Sequence, residues 1–257
     1  MIFSLFIFLF GLAMGSFLNC VIYRIEKNQS FLKGRSYCPH CRHTLSWQDL
    51  IPVFSFLFFR GKCRYCHEKI SLQYPLVELF TGVLFVLIFW SLGFDWSLGF
   101  LFLVSCFLIV IFIYDLRHYI IPDKILFPAI AIVFLYRLFE NLIIGHWDLG
   151  FRNYVFAGLG ASAFFLFIFF VSGGRWMGFG DVKLALFMGL FLGYPNILVA
   201  LFLAFFLGAI IGVGLIIFGN KNLKSEVPFG PFLITGTFSA LLWGQELMQW
   251  YTRLFLF

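Results

Sequence analysis

Charge is what this chain has least of. Lys, Arg, Asp and Glu make up 12% of its 257 residues, half of the roughly 25% found in soluble globular domains. A water-soluble enzyme is excluded on that ground. Disorder is excluded as well, because it needs low hydrophobicity and high charge, and 62% of this chain is hydrophobic. Acidic residues are the scarcest, 12 against 18 basic ones, so each carboxylate beside an apolar run merits a functional question. No Gly-x-Gly-x-x-Gly stands after a strand pattern, so there is no dinucleotide fingerprint. There is no internal repeat or low-complexity tract. No basic flank precedes the opening apolar run, which therefore reads as a span and not as a cleavable signal peptide.

What is present is a series of apolar runs at 2–23, 76–92, 98–114, 125–144, 155–171, 182–192, 197–218 and 232–254. Most have the length of a transmembrane helix, about 20 residues. The run at 182–192 is short, and the last one carries Glu246. The expected fold is an all-α polytopic membrane protein of about eight transmembrane helices, with its 40 phenylalanines facing lipid. With eight spans, fifteen of the eighteen Lys and Arg residues fall on one side and only Arg137, Arg152 and Arg253 on the other. The positive-inside rule places the basic side in the cytoplasm and both termini outside. The positive charge thus reports topology and not a nucleic-acid partner; lipid is the expected surround. Three parts follow: a first transmembrane helix at 1–23, a polar insert at 24–73, and a transmembrane domain at 74–257.

The insert holds two CxxC pairs, Cys38 with Cys41 and Cys63 with Cys66, separated by 21 residues. An insert of this size cannot bury a sufficient core and calls for a staple. Four thiolates supplied by two tight turns suit a closed, structural tetrahedral zinc site. A disulfide pair, a redox switch or no cross-link are the alternatives; a reducing cytoplasm disfavours disulfides. His40, His43 and His67 are nearby substitute ligands or plain solvated histidines. Cys20 and Cys106 lie in apolar runs and read as packing residues.

Three aspartates stand at the basic-side membrane edge: Asp115 after one span, Asp123 before the next, and Asp181 after Gly178-Phe179-Gly180. Carboxylates at membrane depth are functional hypotheses. Singly, Asp181 or Asp123 could cap a helix, and Asp115 could pair with Arg117 or His118. Together, with Gly178 and Gly180 freeing the backbone for close approach, two of them could share one proton. Such a dyad activates water and protonates a leaving amide nitrogen.

The motifs, in order, are Met14-Gly15-Ser16-Phe17-Leu18-Asn19, the tetracysteine insert with Trp47-Gln48-Asp49-Leu50-Ile51-Pro52, Tyr74-Pro75-Leu76-Val77-Glu78, the stretch from Asp115 to Asp123, Gly178-Phe179-Gly180-Asp181-Val182-Lys183, and Pro228-Phe229-Gly230-Pro231-Phe232. Together they resemble the type IV prepilin peptidase family of intramembrane aspartyl proteases. The resemblance implies Asp115 and Asp181 as the catalytic pair. Asp123, Gly178, Gly180, Lys183 and Glu78 become supporting residues, and Cys38, Cys41, Cys63 and Cys66 metal ligands. It implies removal of the leader from prepilin or pseudopilin substrates at the cytoplasmic edge of the bacterial inner membrane. It further implies methylation of the new N-terminus with S-adenosylmethionine, for which the residues offer no independent sign. Gly230 is a candidate substrate-positioning turn. The alternative is a small ion-coupled transporter using membrane carboxylates; such carriers are built from repeats with midplane sites, neither of which is visible here.

Overall fold

The structure is a computed structural model describing residues 2–30, 34–144, 150–218 and 227–255. Lys33, Lys221 and Lys224, counted above on the basic side, lie outside the described residues. The chain divides into two compact units, Met1–Val110 and Ile111–Phe257.

In the first unit, α1 (Ile2–Glu26) and α3 (Gln73–Leu92) pack against each other around the insert between them. Their seam is built on small residues, as membrane helices need when no hydrophobic force draws them together. A Cβ on Gly15 would lie 2.6 Å from the Glu78 Cα, so only glycine permits this approach. Asn19 donates to the Tyr74 carbonyl at 3.0 Å one turn further along. The insert contains a 3₁₀ turn at Trp47–Leu50 and the short α2 (Phe54–Phe58). Arg24, read from sequence only as a topological charge, is buried and ties down the start of the insert. Its guanidinium donates to the carbonyls of Ser30 at 3.1 Å and Gly34 at 2.9 Å. Helix α4 (Leu98–His118) begins in this unit, where Phe102 stacks on the fully buried Phe85 with ring centroids 4.1 Å apart.

The second unit contains the end of α4 and then α5 (Asp123–Ile144), α6 (Gly150–Ser172), α7 (Phe179–Leu192), α8 (Asn196–Phe218) and α9 (Gly230–Phe255). Helix α7 packs against α5, α6, α8 and α9. Beyond its first turn, from Leu184 to Leu192, it is apolar all round and almost wholly buried, as a core helix must be. A Cβ on Gly189 would overlap the α6 backbone at Gly158, so glycine sets that helix spacing. The carbonyl of Phe191 near the α7 C-terminus is met by Arg137 of α5 at 2.7 Å, and Arg137 also pairs with Glu140 at 2.7 Å and lies 3.9 Å from the Tyr154 ring centroid. A helix end leaves carbonyls without partners, and this arginine satisfies one of them within protein.

All eight apolar runs form helices, but among the described residues six are long and apolar enough to cross a membrane: α1, α3, α4, α5, α6 and α8. Helix α7 has 14 residues, about 21 Å at 1.5 Å per residue, short of a bilayer core. Helix α9 is long but carries Gln245, Glu246, Gln249 and Arg253. Phe167 and Phe202, both 67% exposed, lie on the outer surface, whereas Phe85, Phe165, Phe187 and Phe191, at most 2% exposed, pack inside the protein, against the expectation that the phenylalanines face outward to lipid. The first helix also runs to Glu26, three residues beyond the expected 23.

Candidate active site and metal centre

The two cysteine pairs adopt the same turn. Cys38 N–H donates to His43 O at 3.0 Å and Arg42 N–H to Cys38 O at 2.9 Å; Cys63 N–H donates to Glu68 O at 2.8 Å and His67 N–H to Cys63 O at 2.9 Å. In each, the fourth residue after the leading cysteine is left-handed, Arg42 at φ 56° and His67 at φ 58°. Bridges Tyr37–Thr44 and Lys62–Lys69 close the two loops. The four sulfurs lie within 4.8 Å of one another, and Cys38 Sγ is 3.9 Å from Cys66 Sγ. A tetrahedron with metal–sulfur bonds of about 2.3 Å has sulfurs roughly 3.8 Å apart, so the four cysteines fit a metal ion. None of the three histidines joins the cluster; His43 lies against Tyr65 with centroids 3.7 Å apart. Burial opposes ionisation of Cys38, but the backbone amides of Cys41 and His40 and the thiols of Cys63 and Cys41 outweigh it and bring its pKa down to about 7. The lowered value favours displacement of its proton by a cation.

Asp49 braces the insert. Its carboxylate accepts from Ser46 N–H at 2.9 Å, Ser46 Oγ at 2.7 Å and Tyr65 Oη at 3.1 Å, with Arg64 3.9 Å away. Burial would raise its pKa, but these donors and the arginine hold it below the ordinary Asp value.

The aspartate site lies wholly in the second unit. Asp115, near the C-terminal end of α4, is 4% exposed, and Asp181, in the first turn of α7, is 7% exposed. The two carboxylates are electrostatic neighbours. Asp181 is not the helix cap that its sequence position allowed. Gly178 is the N-cap, and Asp181 stands three residues on, accepting the Gly178 backbone N–H. Asp115 accepts the backbone N–H of Gly230, the first residue of α9. That amide has no partner within its own helix, so it is available to the carboxylate. A Cβ on Gly230 would fall 2.5 Å from Asp115 Oδ2. In the sequence Gly230 is only a turn candidate; no local signal ties it to Asp115.

The loop 119–122 completes the site. Tyr119 turns the chain at φ 58°, and the Ile121 side chain lands between the other two loops. It lies 3.1 Å from where a Gly180 Cβ would be and 3.5 Å from that of Gly230. Gly180 therefore supplies space and not unusual dihedral freedom. Gly178 has φ −78° and nothing closer than 3.8 Å to its missing Cβ, so its expected flexibility is not used. Asp123 is the first residue of α5; the Pro122 carbonyl, not its side chain, receives Ile125 and Leu126 N–H. The Asp123 carboxylate instead binds Lys183 Nζ at 2.5 Å, and Lys183 lies over the Phe127 and Phe179 rings at 5.2 and 5.5 Å. Glu78 belongs to the first unit, where the Val53 N–H and the Ser16 hydroxyl occupy its carboxylate.

Comparison with known proteins gives a consistent result. Residues 9–92 match the bacterial peptidase A24 N-terminal domain and residues 101–213 the type IV leader peptidase family. Similar proteins include the prepilin leader peptidase/N-methyltransferases of Aeromonas hydrophila, 33% identical over 97% of this chain and 94% of the relative, and of Bacillus subtilis (strain 168), 33% identical over 96% and 97%. That of Pseudomonas aeruginosa is 30% identical over 95% and 92%. No solved structure matches.

Proposed function

The chain belongs to the type IV leader peptidase family, and from that premise we propose that it removes the leader peptide from prepilin-like proteins and methylates the new N-terminal amine. The observation that carries the peptidase reading is the burial together of Asp115 and Asp181 at the ends of two helices, with Gly230 donating to one of them. Two adjoining carboxylates cannot both ionise readily, so they hold one proton between them. The ionised member takes a proton from water as the oxygen attacks the scissile carbonyl carbon. The protonated member gives its proton to the amide nitrogen as the C–N bond breaks. The Gly230 amide fixes the Asp115 carboxylate for this exchange, and the Asp123–Lys183 pair braces α5 against α7.

The tetracysteine cluster is read as a structural zinc site, closed by four thiolates and taking no part in hydrolysis. Methyl transfer calls for S-adenosylmethionine as donor, as the relatives' names imply. Among the described residues there is neither a strand nor a glycine-rich loop of the nucleotide-binding kind, and no residues are assigned to that donor. The protein is a multi-pass protein of the bacterial inner membrane. The excess of Lys and Arg on one side supports a cytoplasmic placement of the insert, the aspartates and the cleavage step. The parts 1–23, 24–73 and 74–257 are proposed as first helix, zinc insert and peptidase domain.

The test is incubation of the purified protein with a prepilin-like peptide, followed by intact mass measurement. Loss of the leader is the expected result, with one added methyl mass when S-adenosylmethionine is supplied. An unchanged peptide in the presence of folded, zinc-loaded protein would refute the reading.

A further inference from the structure

Segment 51–59 of the insert is unusual for a polar module. It contains no charged residue, and α2 leaves Phe54 64%, Leu57 66% and Phe58 82% exposed. Trp47, on the preceding turn, is 73% exposed. An open apolar hollow of about 810 Å³ lies on the same surface, with Ile51, Phe54, Leu57 and Phe58 in its wall. Such a patch in water marks an interaction surface.

Its depth is set by one hydrogen bond. Val53, the residue that begins α2, donates its N–H to Glu78 Oε2 at 2.7 Å. Glu78 stands five residues into α3, about 7–8 Å along the helix axis at 1.5 Å per residue. It is also inside the apolar run that starts at Leu76. The start of α2 is therefore level with the first turns of a membrane-spanning helix and not above them. Val53 is held at φ 60°, ψ −48°, a conformation costly for a β-branched residue. A buried carboxylate secures the loop there. Immediately after the segment come Arg60, Lys62 and Arg64, all exposed. The stretch 24–73 carries nine basic residues against three acidic ones. Aromatic side chains at the water–acyl boundary with basic residues at phosphate level are the composition of an interfacial anchor, and anionic headgroups complement the positive charge.

We propose that segment 51–59 is a membrane anchor within the insert. Phe54, Leu57 and Phe58 enter the acyl region of the adjoining leaflet, and Arg60 and Lys62 lie at its anionic headgroups. The zinc-binding turns are thereby fastened to the bilayer at a third point besides α1 and α3. This proposal does not depend on the peptidase reading.

The test uses the full chain in nanodiscs of phosphatidylethanolamine and phosphatidylglycerol, with photoreactive p-benzoylphenylalanine replacing Phe58 and, separately, Phe54. The same probe replaces Phe202 of α8, a lipid-facing reference. Adducts are identified by mass after irradiation. Phospholipid adducts at 58 or 54 within about threefold of the yield at 202 are expected for side chains seated at the acyl boundary. Exchanging phosphatidylglycerol for phosphatidylcholine should lower that yield severalfold, and an unchanged yield would overturn the headgroup assignment. Absence of lipid adducts at both positions while 202 is labelled would overturn the anchor. So would adducts to a second copy of the chain, or to an added prepilin-like peptide, in place of lipid.

Discussion

The cysteine insert and the aspartate site solve the same problem, bringing a few polar groups together, by opposite routes. In the insert each pair is three residues apart, and each pair is folded by its own loop, closed by backbone bonds within five residues. Only the meeting of two similar turns is long-range. In the aspartate site no two of Asp115, Ile121, Asp181 and Gly230 belong to the same helix, and each needs the others' helices in place. A local design tolerates a poor surrounding core, and its four cysteines are spaced to hold a metal. A distributed design leans on packing, which explains why α7, the helix bearing Asp181, is largely buried from that residue onward.

Removing the metal should have the largest effect, since structural zinc supplies on the order of 10 kcal/mol to small sites. Cys38→Ser or Cys63→Ser should lower zinc from about one per chain to near zero and open the insert to proteolysis; metal analysis and limited digestion measure both. Retained zinc in both variants would mean that the cluster is not the site.

Asp115→Asn and Asp181→Asn should each lower peptide cleavage by about 10⁴-fold or more, and the double variant should be no worse, because the pair acts as one unit. Zinc content and melting temperature should stay unchanged. The Asn side-chain oxygen can still accept the Gly178 N–H but cannot exchange the shared proton, so full activity in Asp181→Asn would reduce Asp181 to that hydrogen bond.

Gly230→Ala places a methyl against the Asp115 carboxylate and should cost about 10² in kcat, the penalty of displacing a catalytic group by roughly 1 Å. Gly178→Ala, with open space around it, should stay near wild type. Equal losses from the two would remove the distinction drawn between them.

Lys183→Ala and Asp123→Asn should reduce cleavage by about tenfold, a modest effect because Asp123 is 53% exposed and such pairs are screened. The exchange of both charges, Asp123→Lys with Lys183→Asp, should recover part of it. No recovery would assign the losses to something other than the ion pair.

The smallest effect belongs to Asp49→Asn, about 1 kcal/mol of insert stability at pH 7 by thermal melting of the zinc-loaded chain. The folded carboxylate is held below the ordinary Asp value. Its contribution is therefore present above that value and fades as pH falls through the folded one, so the gap between wild type and variant should narrow toward acid.

The sequence by itself determined the class, the positions of the eight apolar helices and the four cysteines that meet in the cluster. Apolar length and CxxC spacing are local properties, and no distant residue can change them. It also singled out Asp115, Asp181, Asp123 and Lys183, because charge is rare enough in this chain to stand out. Only the tertiary structure decided that α7 is a short central helix, which requires knowing what surrounds it. It paired Asp123 with Lys183 across 60 positions and turned Gly230 toward Asp115. It moved the need for glycine from Gly178 to Gly180, where Ile121 fills the space. It also assigned Glu78 to Val53. These are contacts between groups far apart in the chain, and a pattern of hydrophobicity carries no record of which helix end meets which.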